Sequence, residues 1–178
     1  MGGPATASRA AAIYLNDHFA GATAGTELAK RMAKEHRPSP YGDVLEDLLR
    51  GISWDRQELL GIMASLGVPV RRYKVYGAWL GEKLGRLKPN GRVIRRAGLS
   101  LLIELEGLRV GVEGKALLWQ ALLASGIASR ASGLDVAQLR ELQERAQQQM
   151  QALDSLHTEA AMALVSDRPG DGKSPPES

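Results

Sequence analysis

A chain of 178 residues that is 44% apolar but only 4% aromatic is expected to form one domain with a core of Leu, Ala, Val and Ile. That composition favours helices over a sandwich or barrel, and the lack of cysteine excludes disulfides, thiolate metal sites and thiol nucleophiles. The net charge of +3 is uneven: from Arg71 to Arg96 nine basic residues stand against one acid, Glu82, leaving −5 on the remainder.

The N-terminal MGGPATASRAAA lacks the basic start and the apolar run of roughly 7–15 residues that mark a signal peptide. No uncharged stretch approaches the roughly 20 apolar residues of a membrane span, so a soluble cytoplasmic protein is expected. After a flexible 1–8, a first helix is predicted from Thr6 or Ser8 to His36, where Pro38 and Pro40 stop it. Its middle is slim, with Ala20, Gly21, Ala22, Ala24 and Gly25 in succession. Helix glycines cost about 1 kcal/mol each relative to alanine, so the expectation is that neighbouring helices come unusually close there. On that reading the waist does not tolerate bulk.

A second helix is predicted from Tyr41 to Leu66. Leu45, Leu48, Leu49, Ile52, Leu59, Ile62 and Met63 keep its 3.6-residue rhythm, which Asp55 interrupts once. Gly67 is its expected C-terminal cap, with Pro69 just beyond. A shorter amphipathic helix follows in RRYKVYGAWLGEKLGRL, closed by KPNG and a basic connector. A fourth helix spans Leu99 to Ser125, and a fifth runs from the N-cap Asp135 to Val165. The polar, Pro- and Gly-rich 166–178 is expected to be disordered, leaving 9–165 as the bundle domain.

No stretch shows a convincing period-2 strand pattern. Short links make the first two long helices one antiparallel hairpin and the last two another. About thirty residues lie between the hairpins, enough to cross the bundle's length. An all-α, ferritin-like four-helix bundle with an extra shorter helix in the crossover is therefore expected. The alternative is a five-helix up-and-down bundle.

Three stretches, YLNDHFAGATAGTELAKRMA, AWLGEKLGRLK and LIELEGLRVGVEGKALLW, resemble a group of bacterial ferritin-like helical proteins of unknown function. The similarity extends over roughly residues 13–123. It implies a helical bundle and assigns no functional residue.

A ferritin-like bundle raises the question of a di-iron centre, which uses a Glu on each of two helices and a Glu-x-x-His on each of the others. This chain contains no Glu-x-x-His; the nearest pattern is Asp154-x-x-His157. Polar groups nevertheless fall on apolar faces: Asp17, His18, Asp55, Glu106, Glu113, Asp154 and His157. Folding the last two helices about a turn near residue 131 sets Glu106 level with about residue 156, beside His157. The same arithmetic sets Asp55 opposite Ala22. The expected role of these residues is a layer of mutually satisfied buried groups, since an isolated buried charge is costly. A site for Fe, Mn or Zn is the alternative.

The basic residues Arg71, Arg72, Lys74, Lys83, Arg86, Lys88, Arg92, Arg95 and Arg96 read as a solvated helix face, with nucleic-acid phosphate or an anionic surface as alternatives. Trp54, Trp79 and Trp119 read as anchors of the core or of a subunit interface. The tail's DRPGDGKS ends like a phosphate-binding loop, but Asp167 occupies the first glycine position and no helix follows. With three histidines and no cysteine, most hydrolase constellations have nothing to work with. The expected function is therefore non-enzymatic binding or assembly, with no cofactor and with self-association through the Ala- and Gly-rich faces. The rivals are a carboxylate/His oxidase or iron-handling protein, and weak binding of nucleic acid or anionic surfaces through 71–96.

Overall fold

The computed structural model describes residues 7–71, 93–127 and 135–166, with residues 93–97 and 166 described by their backbone alone. Among the described residues there is no strand, and the helices are α1 (Arg9–Glu35), α2 (Gly42–Ser65), α3 (Val93–Ala124) and α4 (Val136–Ser166). The end signals are local. Ser8 Oγ accepts the Ala11 amide at 3.2 Å to cap α1. Asp135 Oδ1 accepts the Ala137 amide at 2.9 Å to open α4. Gly67, at φ +66°, turns the chain out of α2 while Val68 N–H donates back to the Met63 carbonyl. The α1–α2 turn is tight enough that a Cβ on Gly42 would lie 2.5 Å from the Arg37 carbonyl oxygen.

One sequence expectation needs correction here. Helix α3 begins at Val93, six residues before the predicted Leu99, so Arg95 and Arg96 are helical instead of part of a connector. Charge alone does not stop a helix, and arginine is a good helix former. The predicted short helix beyond Arg71, and with it the choice between four and five helices, lies outside the described residues, as does the tail beyond Ser166.

Cross-helix pairs give the bundle its order. Arg31 meets Glu104, and a Cβ at Gly107 would meet Leu28, which makes α1 and α3 antiparallel. Glu58 with Gln138, and Asp55 with Arg145, do the same for α2 and α4. Arg109 with Asp154 and Glu106 with His157 align α3 against α4, and Thr23 with Arg56 aligns α1 against α2. These four pairs are the helix neighbours, so α2 and α3 run parallel across a diagonal. The core between them is aliphatic and includes Leu15, Met32, Leu45, Leu59, Met63, Leu105, Leu118, Leu139 and Leu142. No helix among the described residues is long and apolar enough to cross a membrane.

Asn16, unremarked in the sequence, is buried and fastens the chain leaving α2. Its amide nitrogen donates to the Pro69 carbonyl at 3.2 Å, and its Oδ1 accepts the Arg71 amide at 2.7 Å. The tryptophans divide. Trp119 is fully buried, whereas Trp54 is 59% exposed with the Arg145 guanidinium 5.8 Å from its ring centre, so it does not anchor the core. Trp79 lies outside the described residues.

Candidate functional site

The slim middle of α1 is not a place of close helix approach. A Cβ built on Gly21 or Gly25 meets nothing within 4 Å, and the same holds for Gly111 and Gly114 of α3. These small residues line a cavity of about 480 Å³ bounded by α1, α2 and α3. The expectation of a tightly packed waist is therefore overturned, because glycine runs arise equally where backbones touch and where space is kept open. Ala20, Gly21, Ala24 and Gly25 form one wall, and Gly107, Gly111 and Gly114 form the facing one. Ile52, Leu59, Leu108, Val112 and Leu118 supply most of the remaining lining.

Asp55 and Lys115 of the lining belong to a buried polar network beside the cavity. Asp55, where the rhythm of α2 breaks, has a side chain with no solvent exposure. Its Oδ2 accepts from Lys115 Nζ at 2.5 Å and from Gln149 Nε2 at 2.9 Å, and its Oδ1 accepts from Arg145 at 3.0 Å. Lys115 also donates to Gln149 Oε1. Burial pushes the Lys115 ammonium below the usual lysine range, only partly opposed by Asp55 beside it. Two cations and an amide thus surround one buried carboxylate.

Arg56 lines the same cavity, its Nε donating to Thr23 Oγ1 at 3.1 Å and its guanidinium 4.9 Å from the centre of the Phe19 ring. Tyr14, Asp17 and His18 also line it, with His18 edge-on to Tyr14 at 4.5 Å between ring centres. Burial lowers the proton affinity of His18 despite neighbouring Asp17, so His18 is neutral at pH 7. The indole Nε1 of Trp119, another lining residue, is buried without a hydrogen-bond partner.

The expected polar layer is thus split into separate places. Asp17 and His18 lie at the cavity, and Asp55 lies in its own network with Lys115, Arg145 and Gln149. Glu113 and Asp154 share Arg109 on the exposed α3–α4 face, at 2.7 and 3.0 Å. Glu106 does meet His157, at 3.1 Å, as the hairpin arithmetic requires, but their side chains are 62% and 40% exposed. The buried stripe of α4 runs through Gln149 and Leu156, so His157, expected on the apolar face, lies one residue off it. Surface pairs are screened by solvent, so a Glu106→Ala, His157→Ala double-mutant cycle should return a coupling of only about 0.2–1 kcal/mol by urea denaturation. A larger coupling would mean that the pair is shielded from water.

Among the described residues, the carboxylates and histidines that gather three together within metal-sharing reach are Glu35, His36 and Glu104, with ligand atoms within 4.8 Å of one another. None of these was singled out from the sequence. Arg31 already holds Glu104 at 2.9 Å, which places a cation beside any ion that would bind there. Of the basic residues, Arg71 is exposed and Arg95 and Arg96 are described only as helical backbone. Arg72, Lys74, Lys83, Arg86, Lys88 and Arg92 lie outside the described residues.

Lys115 and Gln149 were legible in principle, as polar residues at i+3 from Val112 and from Ala146 on buried stripes. Arg56 gave no such signal. No protein-family model matches the chain, and no match was found among curated proteins or solved structures.

Proposed function

We propose that the protein is a non-enzymatic, ferritin-like helical bundle that binds an apolar small molecule between α1, α2 and α3. The antiparallel neighbours and the parallel α2–α3 diagonal are what a ferritin-like chain path requires. The observation that carries the binding role is the open cavity of about 480 Å³, which falls within the roughly 300–1,000 Å³ of small-molecule sites. Glycines inside helices are destabilising, and here they do not relieve a clash; what they preserve is space.

The test is titration with Nile red, a neutral apolar fluorophore. One molecule is expected to bind per chain, and Gly25→Leu should weaken that binding by about tenfold or more while leaving the melting temperature no lower. Equal binding by the variant would remove the cleft as the site. A carboxylate/His metal protein is the competing reading, and Glu35, His36 and Glu104 are the residues that favour it. Stoichiometric iron, manganese or zinc in protein purified without chelator, lost on Glu104→Gln, would support that reading.

A further inference from the structure

Resting on the reading of the cleft as a ligand site, we infer that its ligand is an amphipathic carboxylate, with its chain along the glycine walls and its head group at Arg56. The cavity's ionisable groups support this in turn. Asp55 is saturated by Lys115, Arg145 and Gln149, so its charge is spent inside its own network, which as a whole keeps one positive charge in excess. His18 is neutral, and Asp17 is exposed. Arg56 differs from all of these. It is half-buried, held in place by Thr23 and the Phe19 ring, and no carboxylate lies within 4.0 Å of it among the described residues.

A guanidinium fixed through its Nε still presents its terminal N–H groups, which match the two oxygens of a carboxylate. A partly desolvated cation without a counter-ion favours an anion over a neutral group. A cationic amphiphile would meet only Asp17 as a free carboxylate. Phosphate esters are disfavoured because their larger, more strongly hydrated head needs more donors than Arg56 supplies.

The experiment is isothermal titration of the full chain with dodecanoate, dodecan-1-ol and dodecylammonium, each below its aggregation concentration. Dodecanoate is expected to bind about ten- to a hundredfold more tightly than dodecan-1-ol, as a charge-assisted hydrogen-bond pair implies. Arg56→Gln should abolish that preference while leaving dodecan-1-ol unchanged, and Arg56→Lys should restore part of it. Equal affinity for carboxylate and alcohol would overturn the head-group assignment and leave the cleft reading standing. Tighter binding of dodecylammonium, or a carboxylate preference that survives Arg56→Gln, would also overturn it. No binding of any of the three would sink both readings. Should Arg56→Gln fail to fold, the dodecanoate-to-alcohol ratio of the wild type and the effect of Arg56→Lys decide the matter.

Discussion

Asp55→Ala is expected to cost about 3–5 kcal/mol of folding stability, the largest effect of any single substitution on the polar groups of this protein. The wild-type carboxylate has no exposure, and both its oxygens are occupied. Truncation strands the Lys115 ammonium, whose side chain is only 12% exposed, beside an amide that neutralises nothing. Arg145 has an escape, because it is a third exposed and already lies over Trp54. Lys115 has none. Replacing both partners by apolar residues, Asp55→Leu with Lys115→Met, should recover most of the loss, since that change leaves no charge unpaired. The pH dependence carries the same signature. Burial lowers the Lys115 pKa below its ordinary 10.5, so in that window the unfolded chain binds the proton more tightly. Stability therefore gains as pH rises towards 10.5, and Lys115→Met should remove that gain. Urea denaturation across pH measures both effects. A cost below about 1 kcal/mol for Asp55→Ala would mean that Lys115 reaches water without its partner.

The second large effect has the opposite sign. Combining Gly21→Ala, Gly25→Ala, Gly111→Ala and Gly114→Ala is expected to stabilise the protein by about 2–4 kcal/mol, at roughly 0.5–1 kcal/mol for each interior helix glycine. None of the four methyl groups meets an atom within 4 Å, so no overpacking opposes the gain in helix propensity. The same methyls occupy cavity space, so Nile red binding should fall as the melting temperature rises. A gain in stability with binding intact would separate the glycines from ligand binding. A loss of stability would show that the walls close up in solution.

The sequence made legible whatever depends on neighbours along the chain. Ser8, Gly67 and Asp135 act within a few residues of their own helix ends, and their roles follow from spacing. The α3–α4 register was also readable, because a hairpin ties two helices through one short turn, and Glu106 duly meets His157. Asp55 was visible as a break in an apolar rhythm, and Lys115 and Gln149 as polar residues on buried stripes, but their pairing was not. Lys115, Arg145 and Gln149 lie 60, 90 and 94 residues away, on the other hairpin, and no local rule relates the two hairpins. The cavity was hidden for a different reason. Small residues mark an interface and a void alike, and only the positions of the surrounding helices tell them apart.

The Asp55 network also acts as a vernier between the two hairpins. Leucine-rich faces are indifferent to sliding, since one leucine replaces another with little penalty. A slip of α4 by about one helical turn, roughly 5.4 Å, would leave only one of Arg145 and Gln149 level with Asp55 and bring a leucine, Leu142 or Leu153, towards the other place. A buried carboxylate facing leucine is costly enough to reject that alignment. One charged residue thereby selects a single alignment from several that hydrophobic packing alone would accept.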